Sequence, residues 1–140
     1  MTGKAFVDSN IFIYSLSGDD GLKRETAREI IRALVASHNL YLSSQVLVEV
    51  SNVLLRKAQL EPATVIALMN DMWTLPCATI NSQIVREALV LATVAQLNFW
   101  DALILESAAS AGCSTLYSED LNHGQVIRGV KVVNPFLNQT

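Results

Sequence analysis

Apolar residues in this chain alternate between short continuous runs and longer stretches with helical spacing. Residues 4–7 (KAFV) form such a run, which predicts a buried strand. Asp8, Ser9 and Asn10 follow, and IFIYSL then predicts a short helix. Gly18-Asp19-Asp20-Gly21 predicts a loop. From Leu22 to about Ser37, residues Ala27, Ile30, Ile31, Leu34 and Val35 recur at helical spacing. Residues 40–42 (LYL) predict a second strand, and Ser43 or Ser44 can cap a helix from about Gln45 to Ala58. Pro62 suits the first turn of a further helix over 63–75, which Pro76 closes. Residues 77–80 (CATI) predict a strand, and Asn81 and Ser82 offer caps for a helix through about Gln96. A last helix, about Trp100 to Ala111, ends at Gly112, a glycine just past a helix end. Strands at 115–117 and 130–133 complete the chain before Asn134-Pro135.

Strands alternating with helices imply an α/β domain whose central parallel sheet is covered on both faces. The 140 residues fit one domain, 1–140, with no repeat, low-complexity tract or linker. In open parallel sheets, ligands bind at the carboxyl ends of the strands, which directs attention there.

Composition narrows the class. With 51% apolar and 16% charged residues the chain is no disordered segment. Net charge is −3, so binding to nucleic acid must rest on local basic patches, cations or a partner rather than bulk charge. Cys77 and Cys113 form no CxxC and read as two buried free thiols. Two Cys and two His are too few for a zinc site. No signal peptide is legible, and the longest largely apolar run, 88–95, is too short to span a bilayer. A soluble, cytoplasmic protein is expected.

Four acids sit in unusual settings. Asp8 follows the first strand, among Phe6, Val7, Ile11 and Phe12. Glu49, inside VLVEVSNVLL, lies beside Val46 and Val53 near the apolar helix face. Asp101 shares a face with Ile104, Leu105 and Ala108, and Asp120 follows the strand at 115–117. Read singly, Asp8 and Asp101 are turn or cap residues, Glu49 is a partner for Arg56, and Asp120 is a loop acid. Read together, they would repel one another unless a divalent cation lay between them. A carboxylate set without His or Cys suits Mg²⁺ or Mn²⁺ better than zinc, and its usual chemistry is phosphoryl transfer.

Four segments also resemble the PIN-domain family, especially VapC-like toxins of prokaryotic toxin–antitoxin pairs. They are FVDSNIFIY (6–14), SSQVLVEVSNVL (43–54), FWDALILESAASAGC (99–113) and LYSEDLNHGQVIRGVKVVNPF (116–136), the last with a Ser/Thr-x-Asp element. The resemblance spans nearly the whole chain. It implies a small three-layer α/β/α sandwich, often dimeric, that cuts RNA endonucleolytically. Asp8 and Asp101 would be the principal metal ligands, and Glu49 and Asp120 would complete the acidic pocket, partly through water. Ser118 would help hold the site, and Asn10 would support the ligands or touch substrate. Glu119 is the alternative to Asp120. His123 reads as a loop histidine, since this chemistry needs no histidine base. A small antitoxin protein would be the partner.

Arg24, Arg28 and Arg32 recur every four residues, with Lys23 beside them, and are candidate RNA contacts or a solvated face paired with Glu25 and Glu29. Arg56-Lys57 and Arg128/Lys131 are weaker candidates, and Trp100 either lines the cleft or anchors its helix in the core. The competing functions are a non-catalytic PIN-scaffold module binding RNA or protein and a housekeeping RNA-processing nuclease. A haloacid dehalogenase-type phosphatase fits poorly, because Asn10 stands where its second aspartate belongs. A receiver domain fits poorly because Asp19-Asp20 lies well beyond the strand. A dinucleotide-binding fold would need GxGxxG after the first strand.

Overall fold

The computed structural model describes residues 3–17 and 19–137; Gly18, expected in the first loop, lies outside them. The elements are β1 (Ala5–Val7), α1 (Ser9–Ser17), α2 (Gly21–Ala36), β2 (Leu40–Ser43), α3 (Ser44–Arg56), α4 (Pro62–Leu68), β3 (Cys77–Ala78), α5 (Ser82–Ala95), α6 (Phe99–Ser110), β4 (Thr115–Tyr117), β5 (Val126–Ile127) and β6 (Val130–Val133). They build an α/β/α sandwich around a sheet of strand order β3-β2-β1-β4-β6-β5. Every neighbouring pair is parallel except β5–β6.

That antiparallel β5 is the strand the apolar pattern did not signal. Ile127 pairs with Val130, leaving Arg128-Gly129 as a two-residue turn with φ of 55° and 77°. Two positive φ values match the hairpin turn whose twist suits antiparallel strands.

Capping follows the expected chemistry. The side chains of Ser43, Asn81 and Asn98 each accept a backbone N–H at the start of α3, α5 and α6, and Asp20 accepts two at the start of α2. Helix α4 is shorter than expected, ending at Leu68. Residues 69–75 continue as turns, with Met72 N–H donating to the Met69 carbonyl (2.8 Å) and the Thr74 hydroxyl to the Asp71 carbonyl (3.3 Å). The Thr74 hydroxyl competes for backbone in this way, which disfavours a continued helix.

The core surrounds β1. Phe6, Val7, Leu40, Leu42 and Leu116 from three adjacent strands are fully buried, together with Ile11, Leu54, Met69 and Leu105. Helix α5 packs on α6, which lies across β2, β3, β4 and β6, while α1 packs on α2 and α3. Residues 102–108 of α6 are all buried, as expected of a helix that is apolar nearly all round. Cys113 is buried, but Cys77, expected buried, is exposed because β3 is the edge strand of the sheet. Among the described residues no single helix is long and apolar enough to cross a membrane.

Candidate metal centre

The strand order reverses at β1, with β2 on one side and β4 on the other, so chain leaving all three strands meets at one edge. Asp8 is the first residue past β1, and its N–H donates to the Tyr117 carbonyl at the end of β4 (3.0 Å). Val7 is paired with Tyr117, so the residues after β4 emerge beside Asp8. The Ser118 hydroxyl, fully buried, donates to Asp8 Oδ2 (2.8 Å) and accepts the Asp120 N–H (3.2 Å). In the first turn of α1, Asn10 Nδ2 donates to Asp120 Oδ2 (3.0 Å) and lies 3.5 Å from Asp8 Oδ2. One amide therefore spans two carboxylates whose charges repel.

Glu49 and Asp101 arrive on helices. Helix α3 starts directly from the end of β2, which puts Glu49 in its second turn, half-buried. Asp101 lies in the first turn of α6, where the helix dipole favours an acid. The four carboxylates share one field. Burial, above all, pushes Asp8 up to about 6; hydrogen bonds from Ser118 and the Ser9 backbone oppose this, and the charges of Glu49 and Asp120 add to it. Glu49 is raised chiefly by burial, against hydrogen bonds from Ser9 and Gln45 and with the charges of Asp120 and Asp101. Asp101 is raised by burial and then by Asp120.

Glu119 is differently placed. Tyr14 donates its hydroxyl to Oε1 (2.6 Å), and the Lys23 ammonium lies 3.0 Å from Oε2. Of the two adjacent acids, Asp120 is thus the one that meets Asn10 and acts on all three other carboxylates.

The ion pairs among the described residues use Glu119, Glu87 and Glu106, and none of these four acids. An all-oxygen set with uncompensated negative charge fits a hard divalent cation. Among the described residues no three His, Cys, Asp or Glu side chains lie close enough together to hold a metal ion between them. Mg²⁺ keeps several waters and takes only one or two carboxylates directly, so it does not require three converging side chains.

The sequence matches the family model described as PIN domain over residues 5–128. The chain belongs to the PIN domain family. Its fold is similar to a toxin–antitoxin complex from Klebsiella pneumoniae, with TM-score 0.70 and 26% identity over 94% of this chain and 98% of that one. It is also similar to DNA-bound VapBC from Salmonella typhimurium (TM-score 0.67, 19% identity, 93% and 96% covered). VapC20 of Mycobacterium tuberculosis, a Sarcin-Ricin loop cleaving toxin, matches with TM-score 0.62 and 20% identity over 81% and 87% of the two chains. No curated protein matches the sequence.

Other candidate residues of this PIN domain have partners or places that the sequence did not assign. Arg128, a candidate RNA contact, grips buried Glu106 with two bonds (3.1 and 2.8 Å). Glu106 was detectable only as a single acid in the apolar run of α6. Arg28 donates from Nε to the Ser15 carbonyl (3.0 Å), tying α2 to α1. Arg28 and Arg32 line a groove with Leu68, Met72 and Leu75, whose lining includes none of the four acids. His123 is exposed and accepts at Nδ1 the N–H of Asn134, the residue just past β6 (3.0 Å). Trp100 is 59% exposed, which removes it from the core. Sequence reasoning also missed Ser9 and Tyr14, whose spacing carries no motif, and noted Lys23 only beside the arginines of α2, not as the partner of Glu119.

Proposed function

We propose that this PIN domain is a Mg²⁺-dependent endoribonuclease, the toxin of a type II toxin–antitoxin pair, with Asp8, Asp101, Glu49 and Asp120 as its catalytic acids. The observation that carries the reading is the Asp8–Ser118–Asn10–Asp120 frame, which holds like-charged carboxylates together at a sheet switch point. PIN-domain membership and the likeness to the Klebsiella pneumoniae toxin–antitoxin complex support it.

Asp8 and Asp101 would hold the cation, with Glu49 and Asp120 reached partly through its waters. Bound there, Mg²⁺ or Mn²⁺ supplies neutralisation of the phosphate's charge and a water acidified for in-line attack. The protein's own contribution is orientation. Ser118 and the Ser9 N–H (2.7 Å from Oδ1) fix both oxygens of Asp8, and Asn10 fixes Asp120. With both oxygens held, Asp8 cannot rotate when charge develops on the substrate, so little reorganisation is needed.

The same reading implies a small antitoxin partner, a homodimer and a cytoplasmic place of work. Leu89, Val90 and Val94 of α5 face solvent and are apolar surface that a partner would cover. The deciding experiment is cleavage of a mixed cellular RNA pool by purified protein with Mg²⁺, beside Asp8→Asn. Cleavage by wild type alone, stopped by EDTA and restored by Mg²⁺ or Mn²⁺, is expected. Equal cleavage by both proteins, or cleavage that persists in EDTA, would sink the assignment.

A further inference from the structure

Beside the acids lies an open cleft of about 490 Å³ walled by Val48, Ile80, Leu103 and Trp100, with Gln45 and Glu49 also in its lining. We propose that this cleft is a nucleobase subsite, in which a base next to the scissile phosphate stacks on Trp100 and is read by Gln45. The proposal rests on the ribonuclease reading for its occupant and goes beyond it in naming where the substrate's base sits.

Three observations carry it. First, Trp100 presents its ring to solvent, 59% exposed, yet it is anchored rather than loose. Phe99 meets its ring edge-on at 5.6 Å, and Gln45 Nε2 donates to its carbonyl at 3.3 Å. An exposed, fixed aromatic face is what base stacking requires. Second, Gln45 is buried and its Oε1 has no hydrogen-bond partner. A buried amide oxygen is costly to leave unpaired. Gln45 lines the cleft while its Nε2 holds the Trp100 carbonyl, and an amino or imino N–H of a base seated there would supply the missing donor. Third, Glu49 belongs both to the cleft and to the acidic field, and Trp100 immediately precedes Asp101. The proposed base subsite therefore adjoins the acids that would meet the phosphate.

A base is flat, apolar on its faces and polar at its edge, which matches apolar walls interrupted by the polar side chains of Ser44, Gln45 and Glu49. An aliphatic side chain from a protein partner would fill the walls and leave Gln45 unsatisfied. A second copy of this chain is the remaining occupant, and the test separates it.

Trp73→Phe leaves Trp100 as the single tryptophan, since the chain has two. In that protein, titration with adenosine, guanosine, cytidine and uridine, which carry no phosphate and need no metal, should quench Trp100 fluorescence saturably, unequally among the four. Against RNA with Mg²⁺, Trp100→Ala should raise KM about 5- to 100-fold, the span one base–aromatic stack supports, while kcat changes by less than about twofold. Trp100→Phe should recover most of the loss. Absence of saturable quenching overturns the subsite whether or not RNA is cut. Quenching without RNA cleavage by any variant keeps the subsite and overturns the ribonuclease reading. An unchanged KM together with conversion of a wild-type dimer to a Trp100→Ala monomer assigns the cleft to a contact between copies and overturns the subsite.

Discussion

Asp8 and Glu106 are both buried carboxylates, 6% and 4% exposed, in two regions of one small domain. Glu106, on α6, is met by the guanidinium of Arg128 through two bonds, so its charge is neutralised inside the protein. Asp8, at the end of β1, is met by a hydroxyl, a backbone N–H and the negative fields of Glu49 and Asp120, and its carboxyl is pushed up to about 6. Burial alone therefore does not mark a functional acid. What separates the two is the sign of the neighbouring charge. A paired acid fastens the β5–β6 hairpin to α6, and an unpaired one leaves a charge for a ligand to balance.

The contrast can be broken most directly at Asp8. Asp8→Asn should lower RNA cleavage by about 1,000-fold or more, the scale of the charge stabilisation a catalytic metal provides, with an unchanged circular dichroism spectrum. Cleavage within tenfold of wild type would remove Asp8 from the site.

Next comes stability without metal. Asp8 has its folded pKa raised from 3.8 to about 6, so the folded state holds the proton more tightly than the unfolded chain. The favourable contribution is complete below pH 3.8 and is lost as pH rises through about 6. In EDTA, Asp8→Asn should therefore be more stable than wild type by up to about 3 kcal/mol at pH 7.5, with the difference vanishing near pH 4. Urea denaturation at several pH values measures this. Added Mg²⁺ should then raise the melting temperature of wild type but not of the variant.

Glu106 should behave in the opposite way. Arg128→Ala leaves a buried acid unpaired, and its cost should be about 1–3 kcal/mol, below the full buried-pair range because the Arg128 side chain is 53% exposed. Cleavage per folded molecule should hold. A loss of activity without a loss of stability would place Arg128 in substrate binding after all.

The smallest effect is expected at the groups that orient Asp8. Ser118→Ala removes one hydroxyl donor and should weaken Mg²⁺ affinity by roughly tenfold, the lower end for groups that orient metal ligands. Calorimetric titration with Mg²⁺ checks it, and an unchanged affinity would make Ser118 a packing residue only.

How much of this was legible in the chain differs between the fold and the site. Strands at 115–117 and 130–133 lie where the apolar runs placed them, and Ser43, Asn81 and Pro62 cap or open their helices as their chemistry predicts. Cap and run signals are local, so one-dimensional reading reaches them. Hairpin strand β5 was missed because two residues carry no period. Trp100 was ambiguous because an aromatic beside an acid suits a core or a cleft equally well, and only packing decides.

The sequence by itself determined which residues were acids in apolar surroundings, and that strands and helices alternate in a PIN-like order. Covalent spacing and side-chain polarity suffice for both. Tertiary structure alone decided that Ser118 reaches across 110 positions to Asp8, and that Asn10 spans Asp8 and Asp120. It also decided that Glu119 turns to Tyr14 and Lys23 and that Arg128 serves Glu106. Each of those pairings depends on strand order and register, which bring distant residues within a hydrogen bond, and no local pattern encodes which neighbour a charged group will meet.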